Sequence, residues 1–143
     1  MTQREARDIM TTNVVTARPD MLVIDVIRTL LRLHISGLPV VDDDGNLLGI
    51  ITEHDIVNFI ISGNAADTKA SEVMTKTVET YAPDTPFEEI VNHFAAHRIR
   101  RVPVVEGGKV VGIISRRDII VEMNRIYDRL VMRAEAEQEY EEG

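Results

Sequence analysis

GIITEHDI (Gly49–Ile56) and GIISRRDI (Gly112–Ile119) are nearly one phrase written twice, 63 residues apart. Gly, Ile, Ile, a hydroxyl residue, Asp and Ile recur in order. Between hydroxyl and Asp, Glu53-His54 gives way to Arg116-Arg117. Upstream the match continues at an offset of 64: Met10-Thr11 with Met74-Thr75, Val14 with Val78, Thr16 with Thr80, Pro19-Asp20 with Pro83-Asp84, Ile35 with Ile99, and Pro39-Val40-Val41 with Pro103-Val104-Val105. One residue is lost where Asp42-Asp43-Asp44-Gly45 meets Glu106-Gly107-Gly108. A length change belongs in a turn, where it disturbs no packing. The chain is therefore an internal duplication. We place the first unit at 1–61 (core about 8–58), a small polar linker at 62–71, the second unit at 72–127, and a C-terminal helix extension with an acidic tail at 128–143.

Each unit reads as β-α-β-β-α. Val14-Val15-Thr16, shortly before Pro19, is a short extended segment. Leu22, Val26, Ile27, Leu30, Leu31 and Leu33 mark an amphipathic helix, with Asp20 and its counterpart Asp84 as the expected N-caps. Two apolar runs around a Gly-bearing turn predict a hairpin within 37–52, and another within 102–115. Helices follow from Asp55 and Asp118. One unit offers a three-stranded sheet and two helices, too little to bury both faces of the sheet. Two copies packed together solve that. The fold class is α/β (α+β).

The chain has 143 residues, 44% hydrophobic and 4% aromatic with no Trp, so it should fold around an aliphatic core. The absence of cysteine excludes disulfides and thiolate sites. Half of the net charge of −8 lies in the tail, leaving a mildly acidic body. That argues against a general nucleic-acid binder, though not against a local cationic pocket. The start, MTQREARDIM, has no apolar signal core, and no window reaches the ~18 apolar residues a spanning helix needs. A cytoplasmic protein without membrane attachment is expected. No Walker loop, no GxSxG and no evident carboxylate pair is present, so no enzyme is expected. His93 and His97 have the i, i+4 spacing of a metal pair but no third ligand, and are read as surface histidines.

The doubled Met-Thr, Pro-Asp, Leu/Val-Pro-Val-Val and Gly-Ile-Ile-(Thr/Ser)-x-x-Asp resemble a tandem CBS-domain pair, or Bateman module, over about residues 7–127. The resemblance implies two repeats packed sheet to sheet about a pseudo-two-fold axis, with two related clefts; the helical spacing of Ile119, Ile120, Met123, Ile126, Tyr127, Leu130 and Val131 adds an extended C-terminal helix. It implies a stand-alone regulatory module that senses adenosine-containing ligands: AMP, ADP, ATP, S-adenosylmethionine or NAD-type molecules. No cofactor is obligatory. Partners would be a second copy in a homodimer and an effector protein of unknown identity.

Thr52-x-x-Asp55 and Ser115-x-x-Asp118 fit a capping box, with Asp for the usual Glu, and could be no more than two good helix starts. The same geometry suits a nucleotide. A helix N-terminus favours phosphate, the hydroxyl adds a donor, and a carboxylate can accept from both ribose hydroxyls. Gly49 and Gly112 would let the backbone approach a ligand. The resemblance assigns phosphate or ribose to Thr52 and Ser115 and ribose to Asp55 and Asp118. It nominates Thr16, Ala17, Ile35 and Leu38 in one unit, and Thr80, Tyr81, Ile99 and Val102 in the other, as the adenine slot; ordinary core is the alternative for the aliphatic members.

The copies diverge at Ser36-Gly37 against Arg100-Arg101, and at His54 against Arg117. In the family, basic residues at positions matching Arg100 and Arg101 bind phosphate, and those matching His54 and Arg117 face it. Arginine's planar fork suits phosphate. The Arg-rich second unit is therefore expected to support the anionic site, with Ser36 as the small counterpart in the first. A solvated basic patch balancing the acidic tail is the competing reading. A dimerisation module that binds no nucleotide is the alternative function.

Overall fold

The structure is a computed structural model and describes residues 3–62 and 66–142. Element order is α1 (Ala6–Ile9), α2 (Val23–Leu33), β1 (Gly37–Val41), β2 (Leu47–Thr52), α3 (Glu53–Ile61), α4 (Ala70–Val73), α5 (Phe87–Ala96), β3 (Arg101–Glu106), β4 (Lys109–Ser115) and α6 (Arg116–Glu142). Both hairpins form as expected. Gly37 lies opposite Thr52, Arg101 lies opposite Ser115, and each ladder shifts register between the two valines of its Pro-Val-Val.

The first strand of each unit shrinks to one residue. Ala17 N–H donates to Pro39 O (2.9 Å) and Ala17 O accepts from Val41 N–H (2.9 Å). Tyr81 repeats this with Pro103 O and Val105 N–H (3.0 and 2.9 Å). These are single parallel bridges rather than strands. Pro19 and Pro83, two residues on, have no N–H to continue the ladder.

The helix starts also differ from the sequence reading. Asp20 and Asp84 cap nothing; α2 and α5 begin later, with Leu22 and Pro86 at the N-cap and no side-chain cap bond. The first orphan N–H groups go to backbone instead: Val23 N–H to Thr68 O and Phe87 N–H to Arg4 O, both 2.9 Å. Those carbonyls come from the segment that leads into the other unit. Here lies the main departure from two independent repeats: the units exchange their leading segments. Ala6 of α1 is fully buried with Tyr81, Ile90, Val102, Val104 and Ile114 of the second unit. Ala70 of α4 is fully buried with Ala17, Val26, Leu30, Leu38, Val40 and Ile51 of the first. The stretch read as a linker is therefore structured at its end, where Ala70 N–H donates to Met21 O (2.7 Å) and Ser71 N–H to Pro19 O (3.0 Å). Residues 63–65 of it lie outside the described residues.

The exchange explains the repeated Met-Thr and the repeated Gly together. Thr11 bridges Ile113, and Thr75 bridges Ile50, each through two backbone bonds of 2.9–3.0 Å. Met10 then lies across Gly112 and Met74 across Gly49. A Cβ on Gly49 would sit 2.8 Å from Thr75 O and 2.9 Å from Met74 Sδ, and one on Gly112 would run into the Met10 side chain. Both glycines admit the exchanged segment, not a ligand as their position in the phrase suggests.

Among the described residues, an ionic clamp locks only the exchange of α1 into the second unit. The Glu122 carboxylate is buried (4% exposed) and accepts from Arg4 Nε at 3.0 Å and Arg125 Nη2 at 2.7 Å. The Arg125 hydrogen bond, the largest cause, and then Arg4 hold this carboxyl below its ordinary range against the upward push of burial. α6 runs on for 27 residues as a helix and is exposed from Tyr127 to Glu139. No helix among the described residues is long and apolar enough to cross a membrane.

Candidate functional site

Two clefts follow from the exchange, and each combines both units. Cleft one, about 770 Å³, is lined by the start of α3 (Thr52, Glu53, His54), by Thr77–Glu79 of the second unit's extended segment, and by Arg98–Val102 leading into β3. Cleft two, about 640 Å³, is lined by the start of α6 (Ser115, Arg117, Asp118), by 13–15 of the first unit, and by 34–37 leading into β1. Swapping the units carries each of these segments onto its counterpart in the other lining. Ser36, Glu53 and Arg101 line both, so the clefts meet at a shared wall.

The capping boxes form at both helix starts. Asp55 accepts from Thr52 N–H (2.9 Å) and Oγ1–H (3.1 Å), while Asp118 accepts from Ser115 N–H (2.7 Å) and Oγ–H (3.0 Å). Each carboxylate takes one further hydroxyl from the exchanged Met-Thr: Thr75 at 2.8 Å and Thr11 at 3.2 Å. Asp118 still lines cleft two, whereas Asp55 lines neither cleft. The first helical N–H groups are already used, Glu53 N–H on Ser36 O and Arg116 N–H on Arg100 O.

Of the residues nominated from sequence, cleft one gathers Ser36, Thr52, His54, Ile99, Arg100, Arg101 and Val102. Cleft two gathers Ile35, Ser36, Arg101, Ser115, Arg117 and Asp118. Thr16, Ala17, Leu38, Thr80 and Tyr81 line neither. Ala17, Leu38 and Tyr81 are core, since the single bridge turns Ala17 and Tyr81 onto the β-hairpin, and Thr16 and Thr80 are exposed beside them. The extended-segment lining comes two to three residues earlier, at Asn13, Val14 and Val15 and at Thr77, Val78 and Glu79. Sequence reasoning missed these six. The signal was present: the bridge must precede Pro19 and Pro83, which leaves the free part of the segment upstream.

The arginines do not belong to one cleft. Arg98 and Arg100 face cleft one, Arg117 faces cleft two, Arg101 faces both, and Arg116 lines neither. Arg100 Nη1 pairs with Glu53 Oε1 at 3.2 Å, and Arg116 Nε donates to Ile99 O at 2.9 Å. Cleft one also carries a polar relay. His93 Nε2 meets Glu79 Oε2 at 2.8 Å and its Nδ1 meets the Tyr81 hydroxyl. A neutral ring with the proton on Nε2 satisfies both contacts. Burial, then Glu79 and Glu89, pushes the Tyr81 phenol up. His93 is thus a link under the cleft wall, with His97 stacked on it edge-on at 5.0 Å between ring centroids. No group of three metal-ligating side chains occurs among the described residues.

The CBS-domain family profile matches residues 6–62 and 70–125, and the chain belongs to that family. It is 35% identical over 118 residues to the inosine-5'-monophosphate dehydrogenase of Methanocaldococcus jannaschii, covering 82% of this chain but 23% of that enzyme. Another protein of that organism, MJ1225, is 29% identical over 114 residues; the match covers 80% of this chain and 41% of that protein. The chain thus spans less than half the length of these two curated relatives. Among solved structures, CBSX2 in complex with AMP matches with TM-score 0.79 and 26% identity over 86% of this chain and 98% of that one. The CBS-domain pair of MJ0100, in complex with 5'-methylthioadenosine and S-adenosylmethionine, matches with TM-score 0.74 and 29% identity, at 86% and 98% coverage.

Proposed function

We propose that the chain is a regulatory module that binds an adenosine-containing ligand in the clefts between its repeats and signals by a change of shape or assembly. The observation that carries this is the pairing of each capped helix start with the opposite unit's extended segment and strand entry. An apolar wall thereby faces hydroxyl, carboxylate and guanidinium groups in one cleft. In cleft two, Ile35 with Val14 and Val15 offers an adenine slot, Asp118 a ribose acceptor, and Ser115 with Arg117 and Arg101 a phosphate seat. In cleft one, Ile99 and Val102 with Thr52, His54, Arg98, Arg100 and Arg101 offer a more cationic seat, with Asp55 absent from the lining. AMP, ADP and ATP are the ligands of first choice, then S-adenosylmethionine and NAD-type molecules. The module acts in the cytoplasm on an effector protein and carries out no catalysis of its own.

We further read the module as a homodimer. Along α6, Ile120, Met123, Tyr127, Leu130 and Val131 share the face turned away from buried Glu122, and all are exposed. Residues 116–133 carry five Arg against three acids, while 134–142 carry five Glu and no cation. A second copy laid antiparallel would cover the stripe and match these charges. Light scattering checks this: Tyr127→Glu should halve the mass, and an unchanged mass, or a monomeric wild type, counts against it.

Thermal-shift titration tests the ligand reading. Ligand at about 100 times its dissociation constant adds about 2.7 kcal/mol, a rise of several degrees. A flat response to AMP, ADP, ATP, S-adenosylmethionine and NADH would sink it. It would favour a docking module without nucleotide, a reading that the three hydrogen bonds already held by the Asp55 carboxylate independently suit.

A further inference from the structure

We propose that Arg101 is a single anion receptor shared by both clefts, so that a phosphate held in one weakens the hold of the other on a second phosphate. The inference deepens the ligand reading above and rests on it for the nucleoside, though not for the anion. Arg101 lines both clefts at the wall they share with Ser36 and Glu53. Its two companions are already engaged, Arg100 by Glu53 and Arg116 by Ile99 O. Its own guanidinium makes no hydrogen bond or ion pair with any described residue, yet it is half-buried. Burial is the main cause pulling its pKa down; Glu53 opposes, and Arg100 and Arg116 add to the pull. An unpaired, partly desolvated cation costs stability unless something uses it.

The space for it is made by the other unit. Gly37 stands where the second unit has Arg101, and a Cβ there would lie 2.6 Å from Arg101 Nη1 and 3.1 Å from Cζ. The guanidinium therefore lies over the Gly37 backbone, at the junction of the clefts. Five donors in a planar fork suit a phosphate approaching from either side. Two phosphates drawing on one fork compete for its donors and repel each other.

Histidine ring signals in NMR separate the clefts, because His54 lines cleft one and His34 lines cleft two. The probes are pyrophosphate, AMP and adenosine. Pyrophosphate should move both rings. Arg101→Ala should weaken it about tenfold or more at both, as loss of a charge-assisted bond predicts. Arg98→Ala should weaken only the response of His54 and, by removing a competitor, tighten that of His34. Arg117→Ala should do the reverse. Loss at one cleft only in Arg101→Ala, a His34 midpoint untouched by Arg98→Ala, or no response to pyrophosphate overturns the proposal. If pyrophosphate behaves as expected while AMP binds no tighter than pyrophosphate and adenosine does not bind, the shared receptor stands and the nucleoside reading falls. Unliganded Arg101→Ala should melt no lower than wild type; a drop of several degrees would mark Arg101 as structural and overturn its role as a receptor.

Discussion

The first unit meets the wall between the clefts with Ser36 and Glu53, beside Gly37; the second meets it with Arg101, beside Arg100. The backbone there is the same twice, since Glu53 N–H donates to Ser36 O just as Arg116 N–H donates to Arg100 O. A second contrast lies beneath. Glu79, Tyr81 and His93 form a polar relay under cleft one, where the matching positions under cleft two are Val15, Ala17 and Thr29. Positions kept between the copies build the exchange of segments and the helix caps. Among the positions that differ are those at the shared wall and under the clefts. Duplication preserved the scaffold, and divergence acted on charge at the sites.

The preserved part can be broken unequally, and there the largest effects are expected. Gly49→Ala drives a methyl into backbone Thr75 O, which cannot rotate away, and should cost about 3 kcal/mol. Gly112→Ala meets the Met10 side chain first, whose thioether end can rotate aside, and should cost about 1 kcal/mol. Chemical unfolding of both variants checks this, and equal losses would show that the two exchanges yield alike.

Glu122 sharpens the contrast in clamps. Glu122→Gln removes the charge that holds Arg4 and Arg125 and should cost about 2 kcal/mol near neutral pH; both partners are partly solvated, so the full penalty of a broken buried pair is not reached. The folded pKa of Glu122 is depressed. Its contribution is thus complete above the unfolded value of about 4.3 and is lost as pH falls through the folded value. Urea unfolding from pH 7 down to 3 should show wild type and Glu122→Gln converging below about pH 4. A gap constant with pH would remove the charge from the explanation.

Much of this fold was legible in the sequence because a duplicated sequence supplies its own alignment. The hairpins, the two long helices of each unit and the capping boxes follow from apolar spacing and the Thr/Ser-x-x-Asp phrase. Asp20 and Asp84 misled because helix N-caps were sought among neighbouring side chains, while the donors at Val23 and Phe87 are satisfied by carbonyls of Thr68 and Arg4, remote in sequence. The exchange of α1 and α4 has no local signature beyond Met-Thr and Gly, whose partners lie in the opposite unit. The clefts inherit that gap. Which unit each arginine serves is set by the exchange, so sequence placed the cations and could not divide them.

Ligand affinity tests the divergent part at smaller amplitude. Asp118 lines cleft two and Asp55 lines neither, so Asp118→Ala should weaken AMP about tenfold and Asp55→Ala less than about threefold. Calorimetric titration that finds equal losses would erase the functional inequality of the copies.

The smallest expected difference is between Thr75→Val and Thr11→Val. Each removes one neutral hydroxyl from a half-buried carboxylate, at 2.8 Å for Thr75 on Asp55 and 3.2 Å for Thr11 on Asp118. A net hydrogen bond of this kind contributes about 1 kcal/mol, and the longer one less. Thr75→Val should therefore lower stability by about 1 kcal/mol and Thr11→Val by about half of that. The ligand response should run the other way. Freed from Thr11, Asp118 gains an open acceptor in cleft two, so Thr11→Val should leave AMP affinity unchanged or slightly improved while Thr75→Val leaves it unaltered. A loss of AMP affinity in Thr11→Val would mean that the hydroxyl orients Asp118 for the ligand rather than occupying it.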